Sequence, residues 1–188
     1  PIIDQINKEK HPNLRFHYHK LENATRVKGN NYAIKNSSGE IVVFLGDDLI
    51  AKTDFVKEHY KFHQNNHDEN IVAIGPSLFA SRYIENNHFA TWAEKSGHIF
   101  GIPFDKNTTE VPENFFYTAN SSIKRTFLEK TTLFDEDFPH HAWDDYELGL
   151  RLLKQGMICK YAPKTDVEHH HPHSLKQRCK TIRRAGES

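Results

Sequence analysis

The sequence predicts an α/β fold, and three observations carry that prediction. Ile41-Val42-Val43-Phe44-Leu45 is an unbroken apolar run with three β-branched residues, the pattern of a strand buried on both faces in a mostly parallel sheet. Ile71-Val72-Ala73-Ile74-Gly75 repeats it in shorter form. Between them Phe55, Val56, His59, Tyr60, Phe62 and His63 fall at helical spacing. Strands alternating with helices build a sheet covered by helices.

The elements follow in order. Residues 1–10 read as the end of a helix, and Leu14-Arg15-Phe16-His17-Tyr18 as a short strand. Thr25 is placed to cap a helix over 26–36, which stops near Ser37-Ser38-Gly39. The first apolar strand, 41–46, is followed by a helix opened by Thr53 or Asp54 and running to about Asn66. A helix over 85–97 carries Phe89 and Trp92, and residues 98–114 form a loop broken by Gly101, Pro103, Asn107 and Pro112. Loops of that length are often functional. Phe115 to Lys124 is extended, and residues 126–130 make a short helix. Asp144 or Asp145 opens a helix that reaches Lys154 and is closed by Gly156. Ile158–Ala162 and Thr165–His171 are extended, and Ser174 starts a last, basic helix.

Composition narrows the functional classes. At 188 residues the chain is long enough for one domain, taken as 1–188, with a sizeable core. Lysine plus arginine equal aspartate plus glutamate at 25 each, so no global basic field argues for nucleic acid. No apolar stretch approaches the roughly 18 residues of a membrane span, and no leader pattern opens the chain. It starts at Pro1 and reads as processed, trimmed or a fragment. Cys159 and Cys179 match no zinc or redox spacing, which fits a reducing cytoplasm. The unusual count is 14 histidines.

Three constellations could carry chemistry. The first apolar strand ends in Gly46-Asp47-Asp48. Ligands of open α/β sheets bind at that carboxyl edge, and adjacent carboxylates there repel unless a cation or proton relieves them. Mg²⁺ or Mn²⁺ suits such hard oxygen donors. A solvated turn accounts for an Asp-Asp pair equally well. The second is Trp143-Asp144-Asp145-Tyr146-Glu147. Acids are favoured at a helix start, which explains one aspartate well and a run beside a tryptophan less well; a carboxylate so placed could act as a general base. Glu147 and Arg151, four apart, should pair. The third is Val167-Glu168-His169-His170-His171. Strand alternation points His169 and His171 one way and His170 the other, so the first two could meet one metal; a surface cluster is the alternative. His59, His63 and His67 have metal-binding spacing, but the face of an amphipathic helix explains them better. Thr118-Ala119-Asn120-Ser121-Ser122 is small and polar, suited to close approach of a hydroxylated ligand or to a bulge.

Taken in order, these motifs resemble the family 2 nucleotide-sugar glycosyltransferases, which have the GT-A fold. Asn31-Tyr32-Ala33 before Ser38-Gly39-Glu40 is similar to the family's Arg-Asn-x-Gly…Gly-Glu stretch, with Asn30 at the arginine position and Ala33 for glycine. Phe44 to Asp48 resembles its Asp-x-Asp strand end, with Gly46 for the first aspartate. Thr118 to Arg125 resembles the Asn-x-Ser-x-x-Arg strand, and Leu133 to Phe138 the Phe-Asp-Glu turn. Trp143 to Leu152 resembles the acidic helix start, with Asp144 for glutamate, and Val167 to His171 the closing Val-x-His-x-His. The family's first βαβ unit has no counterpart, so the resemblance implies a GT-A (Rossmann-like) mixed, mostly parallel sheet flanked by helices and truncated at its N-terminal side.

The resemblance implies an inverting, metal-dependent transferase that moves a sugar from a UDP- or GDP-sugar to a hydroxyl of a glycan, lipid-linked or protein acceptor, in polysaccharide or glycoconjugate synthesis. Asp145 would be the base. Asp48, Asp47, His169 and His171 would hold Mn²⁺ or Mg²⁺. Trp143, Asp144, Asn120, Ser121 and Asn31 would line the substrate side. The setting implied is cytoplasmic, with peripheral association at the inner membrane face. A non-catalytic binding domain derived from a transferase, and a metal-dependent hydrolase, are the alternatives.

Overall fold

The computed structural model describes residues 15–22, 25–97, 99, 109–137, 143–171 and 174–186. In chain order they form helix α1 (Arg26–Lys35), strands β1 (Ile41–Leu45) and β2 (Leu49–Ala51), helix α2 (Phe55–Asn65), strands β3 (Ile71–Ile74) and β4 (Ser77–Phe79), and helices α3 (Ser81–Ile84) and α4 (His88–Ser96). Strand β5 (Asn120–Lys124), helices α5 (Arg125–Leu128) and α6 (Asp144–Lys154), strands β6 (Ile158–Tyr161) and β7 (Val167–His169), and helix α7 (Leu175–Ala185) complete the order.

The main sheet has strand order β1-β5-β3-β6. β5 is antiparallel to both β1 and β3, while β3 and β6 are parallel. Hence β1, β3 and β6 run one way and β5 alone is reversed. The expected mixed sheet is present with three of its four strands running one way, but two of its three pairings are antiparallel because the reversed β5 lies between β1 and β3. Full burial, expected for β1, falls instead on β3, all four residues of which are buried, and on most of β5. Ile41, Val42 and Val43 are half-buried and Leu45 is 42% exposed. β1, like β6, is an outer strand among the described residues, and an outer strand is covered from fewer sides.

A second sheet was not foreseen. β2, β7 and β4 form it in the order β2-β7-β4, with β2 antiparallel and β4 parallel to β7. β2 and β4 have three residues each, too few to show a period. Other boundaries also move. The helix expected over 85–97 is α4, nine residues long, preceded by the short α3. The extended segment expected from Phe115 is strand only from Asn120, because Glu113–Phe115 closes a 3₁₀ turn. Residues 15–20 pair with no strand among the described residues, and Phe16 and Tyr18 are 46% and 63% exposed. The helix expected over 1–10, and residues 98 and 100–108 of the expected loop, lie outside the described residues.

Phe116, Phe127, Phe134, Ile74, Ile123, Leu128, Leu148 and Leu152 form the heart of the core, beneath α6 and against the main sheet. Each such side chain contributes roughly 1.5–3 kcal/mol by leaving water. α6 presents Leu148 and Leu152 on its buried stripe, and Arg151 bonds Glu147 at 2.6 and 2.7 Å. At Gly75 the backbone leaves no room for a side chain. A Cβ there would lie 2.5 Å from Asn120 Nδ2 and closer still to Thr165 Oγ1.

Candidate active site

The carboxyl end of β1 is where the two sheets meet. Gly46 N–H donates to Ala119 O at 2.9 Å as the chain leaves the main sheet, and Leu49 pairs with His169 as it enters the small one. His170 N–H donates to Asp48 O at 2.8 Å. This backbone clamp brings the Asp48 side chain to His169, with Nε2 3.0 Å from Oδ2. Gly46 matters here as a small residue: a Cβ would sit 3.2 Å from Asp48 Oδ1 and from Leu49 Cδ1. The Asp48 carboxylate therefore folds back over the space that a side chain at position 46 would fill.

The two partners differ in exposure. The His169 ring is buried, stacked on Phe79 at 5.2 Å, and His171 stacks against it at 6.2 Å. The Asp48 side chain keeps 40% of its surface open. Asp47 is exposed on the turn, and among the described residues nothing pairs with it. His170 turns to the other side, where Arg82 Nη2 lies 2.7 Å from Nδ1 and Tyr83 meets the ring edge-on.

The start of α6 reaches the same edge. Trp143 precedes the helix in the left-handed region at φ 68°, a conformation that costs a residue other than glycine roughly 1–2 kcal/mol. Its Nε1 donates to Ala185 O at 2.7 Å. Asp144 and Asp145 then separate completely. Asp144 is 1% exposed, and its Oδ1 is ion-paired with Arg26 Nη2 at the start of α1. Asp145 is only half-buried by surface area. It accepts from Tyr146 N–H at 3.0 Å and faces the Thr118 amide. Burial raises its carboxyl above the usual aspartate range; the Asp144 charge adds to this, and Arg26 opposes it. Tyr117, close by, is pushed up to about 12, chiefly by burial and then by Asp145. Trp143 and Tyr146, 54% and 43% exposed, stand edge to face at 6.3 Å beside the acid.

The two ends are linked through one short stretch of backbone. Asp145 faces Thr118; Ala119 follows and holds Gly46; Asp48 is two residues beyond. The sequence candidates Asp48, His169, His171, Asp145 and Trp143 thus gather along one sheet edge.

Asn31, Asn120 and Ser121, expected on the substrate side, are inside the fold instead. Asn31 Nδ2 donates to Phe134 O and Glu136 Oε1, both at 2.9 Å, and its Oδ1 accepts from Phe134 N–H at 3.0 Å. Asn120 Nδ2 donates to Pro76 O and Thr165 O at 3.1 and 2.8 Å. Ser121 has no exposed surface. Asn31 and Asn120 are recruited by backbone groups of distant segments, whereas Ser121 Oγ is buried without a partner among the described residues. Asp144 is likewise an internal ion-pair partner rather than an open wall. Arg26 was missed; it pairs across 118 positions, and no local pattern marks it.

His59 and His63 face inward from α2. Ser122 Oγ lies 2.8 Å from His59 Nδ1 and 2.9 Å from His63 Nε2, and His59 Nε2 is 3.3 Å from Asn120 Oδ1. Both imidazoles are lowered to about 4, first by burial. His67, beyond the end of α2, is exposed. Among the described residues no three His, Cys, Asp or Glu side chains are gathered to hold an ion unaided.

A profile described as "Glycosyltransferase like family 2" matches residues 2–188. The chain belongs to this family. It is 28% identical over 200 residues to an uncharacterized glycosyltransferase, YfnE, of Bacillus subtilis (strain 168), covering 82% of this chain and 50% of that protein. It is 24% identical over 147 residues to the chondroitin synthase of Escherichia coli, covering 64% and 21% respectively. Its fold is similar to that of a mannosyltransferase from Pyrobaculum calidifontis solved in complex with GDP-Man and Mn²⁺, with TM-score 0.62 and 18% identity over 97% of this chain and 47% of that one. TarS of S. aureus, solved with UDP-GlcNAc, gives TM-score 0.63 at 14% identity over 92% and 47%. The architecture is GT-A, and the chain spans half or less of the length of these relatives.

Proposed function

We propose that this chain forms the acceptor- and metal-side part of an inverting glycosyltransferase using a nucleoside-diphosphate sugar. The observation that carries this reading is Asp48 held 3.0 Å from His169, open on its outer side, on the same edge as Asp145.

The donor set suits Mn²⁺ or Mg²⁺. A carboxylate oxygen beside imidazole nitrogens fits Mn²⁺ especially, and so few protein ligands leave positions for a substrate diphosphate and water. Asp48 would hold the ion, with His169 orienting its carboxylate and His171 and Asp47 at hand. When bound, the ion neutralises charge that builds on the departing diphosphate. The chain's own part is positional and basic. Asp145 takes the proton of the acceptor hydroxyl on its open side as that oxygen attacks the anomeric carbon. Its raised carboxyl makes it a stronger base than an ordinary aspartate. Arg26 holds Asp144 in place and limits the rise. Trp143 and Tyr146 offer an apolar wall for a sugar face. The likenesses to proteins solved with GDP-Man and UDP-GlcNAc support a nucleotide-sugar donor.

The test is calorimetric titration of a UDP- or GDP-sugar into the full-length protein with Mn²⁺ and then with EDTA. Binding should require the ion and should be lost in Asp48→Ala with the circular dichroism spectrum unchanged. Equal affinity in EDTA, or in Asp48→Ala, rules out Asp48 as the metal ligand. Donor consumption without an acceptor as fast as with one favours the hydrolase.

A further inference from the structure

Helix α7 is unlike the rest of the molecule. It spans Leu175–Ala185 with Lys176, Arg178, Lys180, Arg183 and Arg184 and no acid, in a chain whose net charge is zero. Leu175, Cys179 and Ile182 lie at i, i+4 and i+7, one stripe of the helix. All three are exposed, Leu175 by 60% and Ile182 by 56%. Arg178 and Ala185 are the half-buried positions and mark the side toward the body. Lys176, Lys180 and Arg183 border the stripe and line a groove with Leu175 and Cys179. The helix is a built element: Ser174 and Gln177 form a reciprocal cap, with Gln177 N–H on Ser174 Oγ at 3.2 Å and Ser174 N–H on Gln177 Oε1 at 3.0 Å.

The body holds this helix beside the candidate active site. Ala185 O accepts from Trp143 Nε1 at 2.7 Å, and the Arg178 charge acts on Tyr117, the neighbour of Asp145. No helix among the described residues is long and apolar enough to cross a membrane.

We propose that α7 seats on an anionic lipid surface, with Leu175, Cys179 and Ile182 dipped among the acyl chains and Lys176 and Lys180 at the headgroups. An apolar stripe on a short, strongly cationic helix is the pattern of an interfacial helix. The charge selects the partner, since cations without acids on one helix complement a surface of phosphate anions. Because Trp143 Nε1 bonds Ala185 O, seating the helix there brings the Trp143–Asp145 edge near the bilayer. The lipid contact does not depend on the transferase reading, and binding is measured without donor or Mn²⁺.

The experiment is co-sedimentation of the chain with phosphatidylcholine vesicles and with the same vesicles doped with phosphatidylglycerol. Binding should appear only with the anionic lipid and fall as salt rises. Lys176→Gln and Lys180→Gln should each weaken it roughly fivefold. Leu175→Ser with Ile182→Ser should abolish stable binding without loss of helical circular dichroism. A conservative Ile182→Val should retain it. No sedimentation with either vesicle, equal sedimentation with both, or indifference to these variants overturns the proposal. A lipid-independent dimer dissolved by Ile182→Ser, with no vesicle binding, would assign the stripe to a second copy and also overturn it.

Discussion

Two polar regions lie a few residues apart on β5 and its approach, and they are built on opposite terms. Around Ser122 the side chains of His59, His63 and Asn120 satisfy one another and nearby carbonyls inside the core. Around Gly46 and Thr118 the side chains of Asp48 and Asp145 are each held on one side and open on the other. The first region is closed. Its polar groups stabilise a packing arrangement and are shut off from solvent, although His63 Nδ1 and Ser121 Oγ are left without a partner among the described residues. The second is anchored but incomplete, which is what binding or proton transfer requires. Changes in the closed region should therefore move stability and leave chemistry proportional to the folded fraction, while changes in the open region should do the reverse.

The sharpest test of that contrast is Asp145→Asn in the full-length enzyme. Turnover should fall about 10²–10⁴-fold, the usual contribution of a general base, with donor affinity nearly unchanged. Because burial raises this carboxyl, its ionised form costs folding free energy at neutral pH. The amide removes that cost, so the melting temperature should hold or rise. A mutant that is both inactive and less stable would place Asp145 in the closed class. Asp144→Asn should show the opposite balance, losing stability with the Arg26 pair and costing less in turnover. A severe kinetic defect in Asp144→Asn with an active Asp145→Asn would reverse the assignment.

Next in size is Asn120→Ala. It strips partners from two buried carbonyls and from His59, at about 1–3 kcal/mol per unsatisfied group. Chemical denaturation should show the loss, and kcat measured at a temperature where the protein remains folded should be close to wild type. A large fall in kcat at full foldedness would return Asn120 to the substrate side.

The histidine pair gives a pH dependence with a definite sign. His59 and His63 are lowered to about 4 in the folded chain, against about 6.5 when unfolded. Between those values the unfolded chain binds more protons, so stability is complete above pH 6.5 and is lost as pH falls toward 4. The size is about 3 kcal/mol per ring over the whole window, of which about 2 is lost by pH 5. Urea midpoints at pH 7 and pH 5 should differ accordingly, and His63→Gln should flatten the profile. An unchanged slope in that variant would mean another group titrates.

The smallest effect separates neighbours at the end of β7. His169→Ala should weaken Mn²⁺-dependent donor binding about tenfold, the scale for a residue that orients a metal-ligating carboxylate. His170→Ala, turned toward Arg82, should change it little. The reverse order in calorimetry would contradict the geometry of β7.

How much of this was legible follows from which contacts are local. The α/β class, α1, α2, α6 and α7, and the apolar strands come from periodicity and caps within about ten residues, and the chain displays them openly. So does the alternation that parts His170 from His169. The small sheet is different, because three-residue strands exist only through their partners. The split between Asp144 and Asp145 is different too. The two are adjacent and chemically alike, and Arg26, 118 positions away, selects one for the interior. The same holds for Asp48, which meets His169 across 121 positions. Asn31 and Asn120 carry no mark that they would be spent on the carbonyls of residues 134, 76 and 165. The sequence alone determined the longer helices and the apolar strands, the order of the motifs and the family, since these depend on short-range pattern. Only the tertiary structure decided which polar side chains are consumed in satisfying the backbone and which stay open for chemistry. That choice depends on long-range packing, which brings each polar group either a partner or a path to solvent.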